Sequence, residues 1–267
     1  MTTQALLVVV GVVVAVAAGV RSTWSPCGLS MLSIITPVSE TAKGHSYRVT
    51  ASWFTAGAVL GGATLGAAGA IGAAVVAGFG ASPQVLALIA AGASLVALFS
   101  DLAVGNWSLP VHRRQVNERW LDHYRPWVYG SGFGWQIGVG LATYITTAAV
   151  YLVLVLATLT ATPLVAVAIG TTFGLVRGLA VFLTRSVRST PQLLEFHRRF
   201  SSAGPTARKA VVGVEGVAAV VLATASWIPL GLLALAAIGV ALVLIGRSVR
   251  PEDRVPVPEG RTSPGRR

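Results

Sequence analysis

The sequence predicts an all-α membrane protein, a polytopic bundle of about seven transmembrane helices. Hydrophobic residues make up 54% of the 267 residues and charged residues only 11%, which is about half of the charged fraction usual in soluble domains. The mean hydropathy is +0.73. The apolar residues also form long blocks, each near the roughly 20 residues that a helix needs to cross the hydrocarbon core. A water-soluble enzyme is excluded, because the charged residues are too few to cover its surface.

Seven apolar blocks are long enough to be spans. They lie near residues 5–38, 51–79, 84–104, 133–158, 163–185, 208–225 and 228–247. The last two blocks are separated only by a short interruption that contains Ser226, Trp227 and Pro229. A single helix over both blocks would measure roughly 60 Å, twice the thickness of the core, so two spans are predicted there.

The positive charges predict how the chain is oriented. The connections fall into two sets: those at 80–83, 159–162 and 226–227 lack Lys and Arg, whereas those at 39–50, 105–132 and 186–209 and the C-terminal tail are basic. The two sets alternate if the N-terminus lies outside and the C-terminus lies in the cytoplasm, as the positive-inside rule requires. The net charge of +11 therefore indicates contact with lipid in a plasma or inner membrane, and no nucleic-acid partner.

The blocks suggest one membrane domain over residues 1–250, built from two related halves. Each half opens with a span that carries Trp, small residues and a polar continuation, at 24–36 and at 135–147. Three spans in each half imply inverted repeats, as in many transporters. The predicted limits are about 5–104 for repeat one, 131–225 for repeat two, 228–247 for an extra C-terminal helix, and 251–267 for a disordered cytoplasmic tail.

The first block carries a signal for a helix break. A continuous helix from 5 to 38 would be about 50 Å long, whereas Ser25 suits an N-cap and Pro26 suits the first helical position. We therefore expect a half-helix that starts inside the protein, where its free amides favour anions. The same field would activate the thiol of Cys27, which by itself is more typical of a small buried packing residue.

The candidate site combines this break with the start of the fourth span. Cys27 is the candidate redox thiol. The predicted substrate-binding residues come from both segments: Arg21, Ser25, Pro26, Gly28, Gln136, Gly138, Gly140 and Thr143. The glycines of the fourth span are more typical of tight helix packing than of ligand contact.

Two further charged residues lie within apolar spans, Arg177 and Glu215. Such charges usually face the interior of a bundle and have a partner, so an ion pair between these two is predicted. The alternative pairs Glu215 with Arg21.

No metal site and no cofactor are predicted. His112 and His123 are too far apart on one predicted loop helix to share a metal ion, and His45 and His197 lie in other loops. With Cys27 as the single cysteine, an intrachain disulfide is excluded.

The segment from Trp24 through Pro26 and Cys27 to Pro37 resembles the first-span signature of the CcdA/DsbD-type thiol–disulfide electron carriers of the cytochrome c biogenesis family. The resemblance implies two inverted three-helix repeats, a Pro-Cys pair in each, and electron transfer from thioredoxin. The second cysteine should lie near residues 136–141, which contain neither Cys nor Pro. The chain would therefore be a divergent member, because one thiol cannot store two electrons as an internal disulfide.

Three functions follow from these features. The first is a transporter-like protein on the thiol-carrier scaffold that handles a small anionic or thiol-bearing substrate at the broken first helix. The second is a single-cysteine redox protein that exchanges disulfides with a thioredoxin-like partner. The third is a non-catalytic membrane scaffold. The sequence leaves enzymatic activity open and leans against it.

Overall fold

The computed structural model describes residues 2–104, 107–110 and 125–248, with side chains as far as Val243. Within these residues all regular secondary structure is helical. In chain order the helices are α1 (Thr3–Ser22), α2 (Pro26–Ile34), α3 (Pro37–Ala42), α4 (Tyr47–Gly78), α5 (Pro83–Leu102), α6 (Pro126–Val139), α7 (Ala149–Leu159), α8 (Pro163–Leu179), α9 (Thr190–Ser226) and α10 (Ile228–Ser248). A 3-10 turn, Ala180–Thr184, extends α8. The predicted tail at 251–267 and the loop histidines His112 and His123 lie outside the described residues.

The all-helical membrane class is confirmed. Among the described residues, five helices are long and apolar enough to cross a membrane: α1, α4, α5, α8 with its 3-10 turn, and α9. Two shorter apolar segments, Ala149–Leu159 and Ile228–Val243, lie in α7 and α10.

The first apolar block is broken where its sequence predicts. Helix α1 ends at Ser22, and α2 begins at Pro26 after a cap in which the Ser25 hydroxyl accepts a hydrogen bond from the Gly28 amide at 3.1 Å. With 20 residues, α1 measures about 30 Å and is long enough to cross the core by itself. The break therefore follows a helix of full-span length.

The fourth apolar block is also divided. Helix α6 ends at Val139, and Gly140 follows with a positive φ of 72°, a conformation that favours glycine. Residues 140–148 contain no regular helix, and α7 begins at Ala149. Asp101 at the end of α5 caps this second start: its carboxylate accepts hydrogen bonds from the Ala148 amide, at 2.7 Å, and from the Thr147 hydroxyl.

Glycines allow α4 to pack closely between α6 and α8. A Cβ atom at Gly138 of α6 would lie 2.0 Å from the carbonyl oxygen of Ala58. On the opposite neighbour, a Cβ atom at Gly174 of α8 would lie 2.2 Å from that same oxygen and 2.7 Å from the Cα of Gly62. Backbones that approach this closely stabilise helix pairs in membranes through van der Waals contact.

Candidate functional site

Three charged residues lie at one level of the bundle: Arg21 on α1, Asp101 on α5 and Arg208 on α9. Arg21 lies 18 residues from the start of α1, Asp101 lies 18 residues from the start of α5, and Arg208 lies 18 residues from the end of α9. Each separation corresponds to about 27 Å along the helix. That distance is close to the thickness of a hydrocarbon core. The three residues line one cavity of about 370 Å³ together with Tyr144 and Thr146. The cavity therefore lies about one core thickness from the opposite ends of these three helices.

The polar groups of this cavity are only partly engaged. Arg208 donates from Nη2 to the backbone carbonyl of Asp101 at 2.6 Å, while the carboxylate of Asp101 caps α7. The buried hydroxyl oxygen of Thr146 has no hydrogen-bond partner within the described part of the chain. The cavity therefore retains positive charge and an unused hydroxyl group.

Arg177 joins the ends of two helices inside the bundle. Its side chain is buried, and it donates from Nη1 to the Ile137 carbonyl at 2.5 Å and from Nη2 to the Ser22 carbonyl at 3.4 Å. Ser22 is the last residue of α1, and Ile137 lies in the last turn of α6. The C-terminal ends of helices carry partial negative charge. The ends of α1 and α6 therefore both help to neutralise the positive charge of the guanidinium. Its Cζ also lies 5.6 Å from the centroid of the Phe173 ring.

The structure does not bring Arg177 and Glu215 together as an ion pair. Both carboxylate oxygens of Glu215 are buried and without a hydrogen-bond partner among the described residues. The physical reason is that backbone carbonyls at the ends of two helices accept the hydrogen bonds of Arg177. Sequence patterns do not identify such carbonyls as acceptors.

Cys27 lies in a buried cluster near the break, with Met31, Phe54 and Ile137 among its members. Only 2% of its surface is exposed, and the Arg177 guanidinium is close enough to interact with the thiol electrostatically. The arrangement has the character of a packed core.

The remaining residues predicted at the break serve the local fold. Ser25 caps α2, Pro26 is its first residue, and a Cβ atom at Gly28 would lie 2.2 Å from the Thr23 carbonyl oxygen. The Trp24 ring covers this segment by stacking on Phe200 of α9, with centroids 4.3 Å apart. Backbone and side chains of the protein thus occupy the start of α2, where an anion was expected. Arg21 alone among these residues lines the cavity.

The residues predicted from the fourth span lie near the end of α6 and do not line the cavity at Arg21. Gly138 packs on α4, and Gly140 ends α6 at a point where a Cβ atom would lie 2.7 Å from the Phe173 ring. Thr143 is buried and donates to the Gly140 carbonyl at 3.2 Å, while Gln136 is half-buried. None of the four lines the cavity at Arg21.

Sequence reasoning missed a buried carboxylate, Glu40 of α3. Tyr129 of α6 donates to both of its oxygens, at 2.8 and 2.7 Å, and Thr50 of α4 donates to one of them at 2.5 Å. The Lys43 ammonium lies 5.5 Å from the centroid of the Tyr129 ring. This group ties three helices together beside the break.

The described residues hold no group of three or more His, Cys, Asp or Glu side chains that could bind a metal ion.

Comparison with known proteins gives a consistent set of relatives. The chain is 30% identical over 223 residues to the methylamine utilization protein MauF of Paracoccus versutus, which covers 79% of this chain and 77% of that protein. It is 32% identical over 184 residues to MauF of Paracoccus denitrificans, with 62% and 60% covered, and 32% identical over 147 residues to MauF of Methylobacillus flagellatus, with 53% and 50% covered. No protein-family model and no solved structure matches the chain.

These relatives show that the predicted kinship with CcdA/DsbD-type carriers is wrong. The resemblance rested on about a dozen residues around Pro26 and Cys27, where the Ser-Pro pair is explained by the capping of α2. The predicted functions are corrected with it. The relatives are named for methylamine utilization, not for thiol–disulfide exchange or transport, and they support neither the redox protein with a thioredoxin-like partner nor the non-catalytic scaffold.

Proposed function

The chain belongs to the MauF family of methylamine utilization proteins, and from this premise we propose that it is an integral membrane accessory protein of methylamine utilization. The observation that carries the proposal is the 30% identity over 223 residues to the Paracoccus versutus protein. The similarity covers most of both chains, so it includes most of the helical bundle and not one shared motif.

Arg177 is the proposed centre of this function. A charge inside a membrane-spanning helix is costly, and such residues are usually functional. Arg177 is 2% exposed and is bonded to the carbonyls that end α1 and α6. Any movement of either broken helix would change these bonds, so the guanidinium is placed to couple the two.

The proposed topology has seven crossings, with the N-terminus outside and the C-terminus in the cytoplasm of a plasma or inner membrane. Five crossings are the long apolar helices. With 14 and 11 residues, α6 and α7 measure about 21 and 17 Å and together supply the fourth crossing. The 21 residues of α10 supply the seventh. Support for the orientation comes from the basic connections, which alternate along the chain with connections that lack Lys and Arg.

Two inverted repeats, at about 5–104 and 131–225 within a membrane domain of 1–250, are proposed as the plan of the bundle, with α10 added. The first crossing of each half is divided, after Ser22 and after Val139. Helix α4 packs on α8, α5 packs on α9, and α1 contacts α8 as α7 contacts α4. In the two repeats α4 corresponds to α8, α5 corresponds to α9, and α1 corresponds to the divided crossing of α6 and α7. A pseudo-two-fold axis that exchanges these helices would turn each of the listed contacts into itself or into another of them.

Growth of a complemented strain tests the function. A Paracoccus denitrificans strain that lacks its own MauF would carry this chain, the Arg177→Met variant or the control variant Arg185→Met, an exposed arginine. We expect the wild-type chain and Arg185→Met to restore growth on methylamine, and Arg177→Met to fail at an equal membrane level. Growth on succinate should be the same for all strains. If the wild-type chain accumulates in the membrane and growth on methylamine is not restored, the proposal is contradicted.

A reporter tests the topology. Green fluorescent protein fused after Arg267 should fluoresce, and alkaline phosphatase at the same place should be inactive, because the C-terminus is cytoplasmic. The opposite pair of results would contradict seven crossings with this orientation.

A further inference from the structure

The cavity at the end of α1, α5 and α9 has the charge of an anion site. It contains two guanidinium groups, Arg21 and Arg208, and one carboxylate, Asp101. Both oxygens of that carboxylate accept hydrogen bonds at the start of α7. The buried hydroxyl of Thr146 is without a hydrogen-bond partner among the described residues. Guanidinium groups match the geometry of phosphate oxygens.

An apolar groove continues from this cavity between α5 and α7. Its volume is also about 370 Å³, and it shares Leu109, Pro110, Ala148 and Tyr151 with the cavity. The Tyr151 hydroxyl is engaged with the Pro110 carbonyl at 2.9 Å. The rest of the lining is aliphatic: Ala93, Val96, Ala97, Leu152 and Val155.

The groove extends away from the charged residues of the cavity. Ala93 precedes Asp101 by eight residues on α5, a distance of about 12 Å along the helix. Val155 follows Ala148 by seven residues on α7, about 10 Å in the same sense. The groove thus follows apolar side chains of both helices over about this length, and a small inorganic anion in the cavity would leave it empty.

We propose that this cavity and groove form a binding site for an anionic phospholipid. The phosphate lies between Arg21 and Arg208, and an acyl chain lies along the groove between α5 and α7. Basic pockets between membrane helices bind anionic lipids in this way. The proposal depends on the cavity alone and is independent of the role in methylamine utilization.

Retention of defined lipids tests the site. The purified full chain in neutral detergent is mixed with equal amounts of dioleoyl phosphatidylglycerol and dioleoyl phosphatidylcholine, and the lipid retained after gel filtration is quantified by mass spectrometry. We expect phosphatidylglycerol to be retained in preference by about tenfold or more, because each arginine near the phosphate adds to its affinity. Equal retention of the two lipids by the wild-type protein would overturn the proposal, whatever the variants do.

Charge variants locate the preference. The double variant Arg21→Gln/Arg208→Gln should retain both lipids equally. Its matched control, Arg185→Gln/Arg188→Gln, removes the same charge from exposed positions and should keep the preference. If the control loses the preference and the cavity variant keeps it, the site lies elsewhere and the proposal fails.

Two further arms identify the part of the ligand that binds. An excess of inorganic phosphate should not displace phosphatidylglycerol, because phosphate cannot fill the groove; complete displacement would indicate a site for free phosphate and contradict the lipid. Val96→Trp should fill the groove and reduce retention of phosphatidylglycerol several-fold, whereas Val75→Trp, on an exposed face of α4, should not. Equal retention by both variants would contradict the position of the acyl chain.

Discussion

The phenol of Tyr129 donates hydrogen bonds to both carboxylate oxygens of Glu40, at 2.8 and 2.7 Å. The carboxylate is completely buried, so its oxygens depend on protein donors. Because a buried acceptor that loses its donor keeps the cost of desolvation, Tyr129→Phe should lower the free energy of unfolding by about 1–3 kcal/mol. The melting temperature of the purified protein measures this. Tyr151→Phe, whose hydroxyl bonds to a less buried carbonyl, is the control and should have a smaller effect; equal effects would contradict the role of Glu40.

Arg177 should be required for stability as well as function. Arg177→Met leaves the carbonyls of Ser22 and Ile137 without this donor, at a cost of about 1–3 kcal/mol for each buried acceptor. Arg177→Lys should be intermediate, because one ammonium group on a flexible chain does not reproduce the guanidinium fork. The melting temperatures should therefore rank wild type above Lys and Lys above Met. A Met variant as stable as the wild type would show that the two bonds do not hold the helix ends.

The contact between α4 and α8 should not tolerate a methyl group. In Gly174→Ala the new Cβ atom would lie 2.2 Å from the Ala58 carbonyl oxygen, and overpacking of this kind costs about 1–3 kcal/mol. Gly92→Ala on α5 meets nothing within 4 Å and should leave the melting temperature unchanged or raise it slightly. If the two variants melt alike, the close approach of α4 and α8 is not as described.

Cys27 should be inaccessible and dispensable. Because 2% of its surface is exposed, a maleimide should not label it in the native protein and should label it after denaturation in sodium dodecyl sulfate. Cys27→Ala should support growth on methylamine at a rate within about twofold of wild type, since the removed sulfur leaves only a small cavity. Rapid labelling of the native protein, or complete loss of growth with a folded variant, would restore a chemical role for the thiol.

Local chemistry was sufficient to predict the membrane class and the first helix break. The apolar blocks identify the long helices, and the Ser25-Pro26 pair identifies the start of α2, because N-capping depends on residues within one turn. The second break was missed, since Gly140 is one of many glycines in this block and only its φ of 72° distinguishes it.

Contacts between distant residues could not be predicted. Glu40 and Tyr129 are 89 positions apart, and neither stands in a motif. Arg177 was expected to find a carboxylate, whereas its acceptors are backbone carbonyls, which every residue has. The predicted family was also wrong, because the Ser25-Pro26 pair in the short motif around Cys27 reflects the capping of α2.

Growth of the organism that carries this chain, after deletion of its gene, tests the central claim most directly. The specific growth rate would be measured with methylamine and with succinate as the carbon source, before and after the gene is returned in trans. Membership of the MauF family predicts that the deletion abolishes growth on methylamine, leaves growth on succinate unchanged, and is reversed by the returned gene. Undiminished growth of the deletion strain on methylamine would contradict the claim.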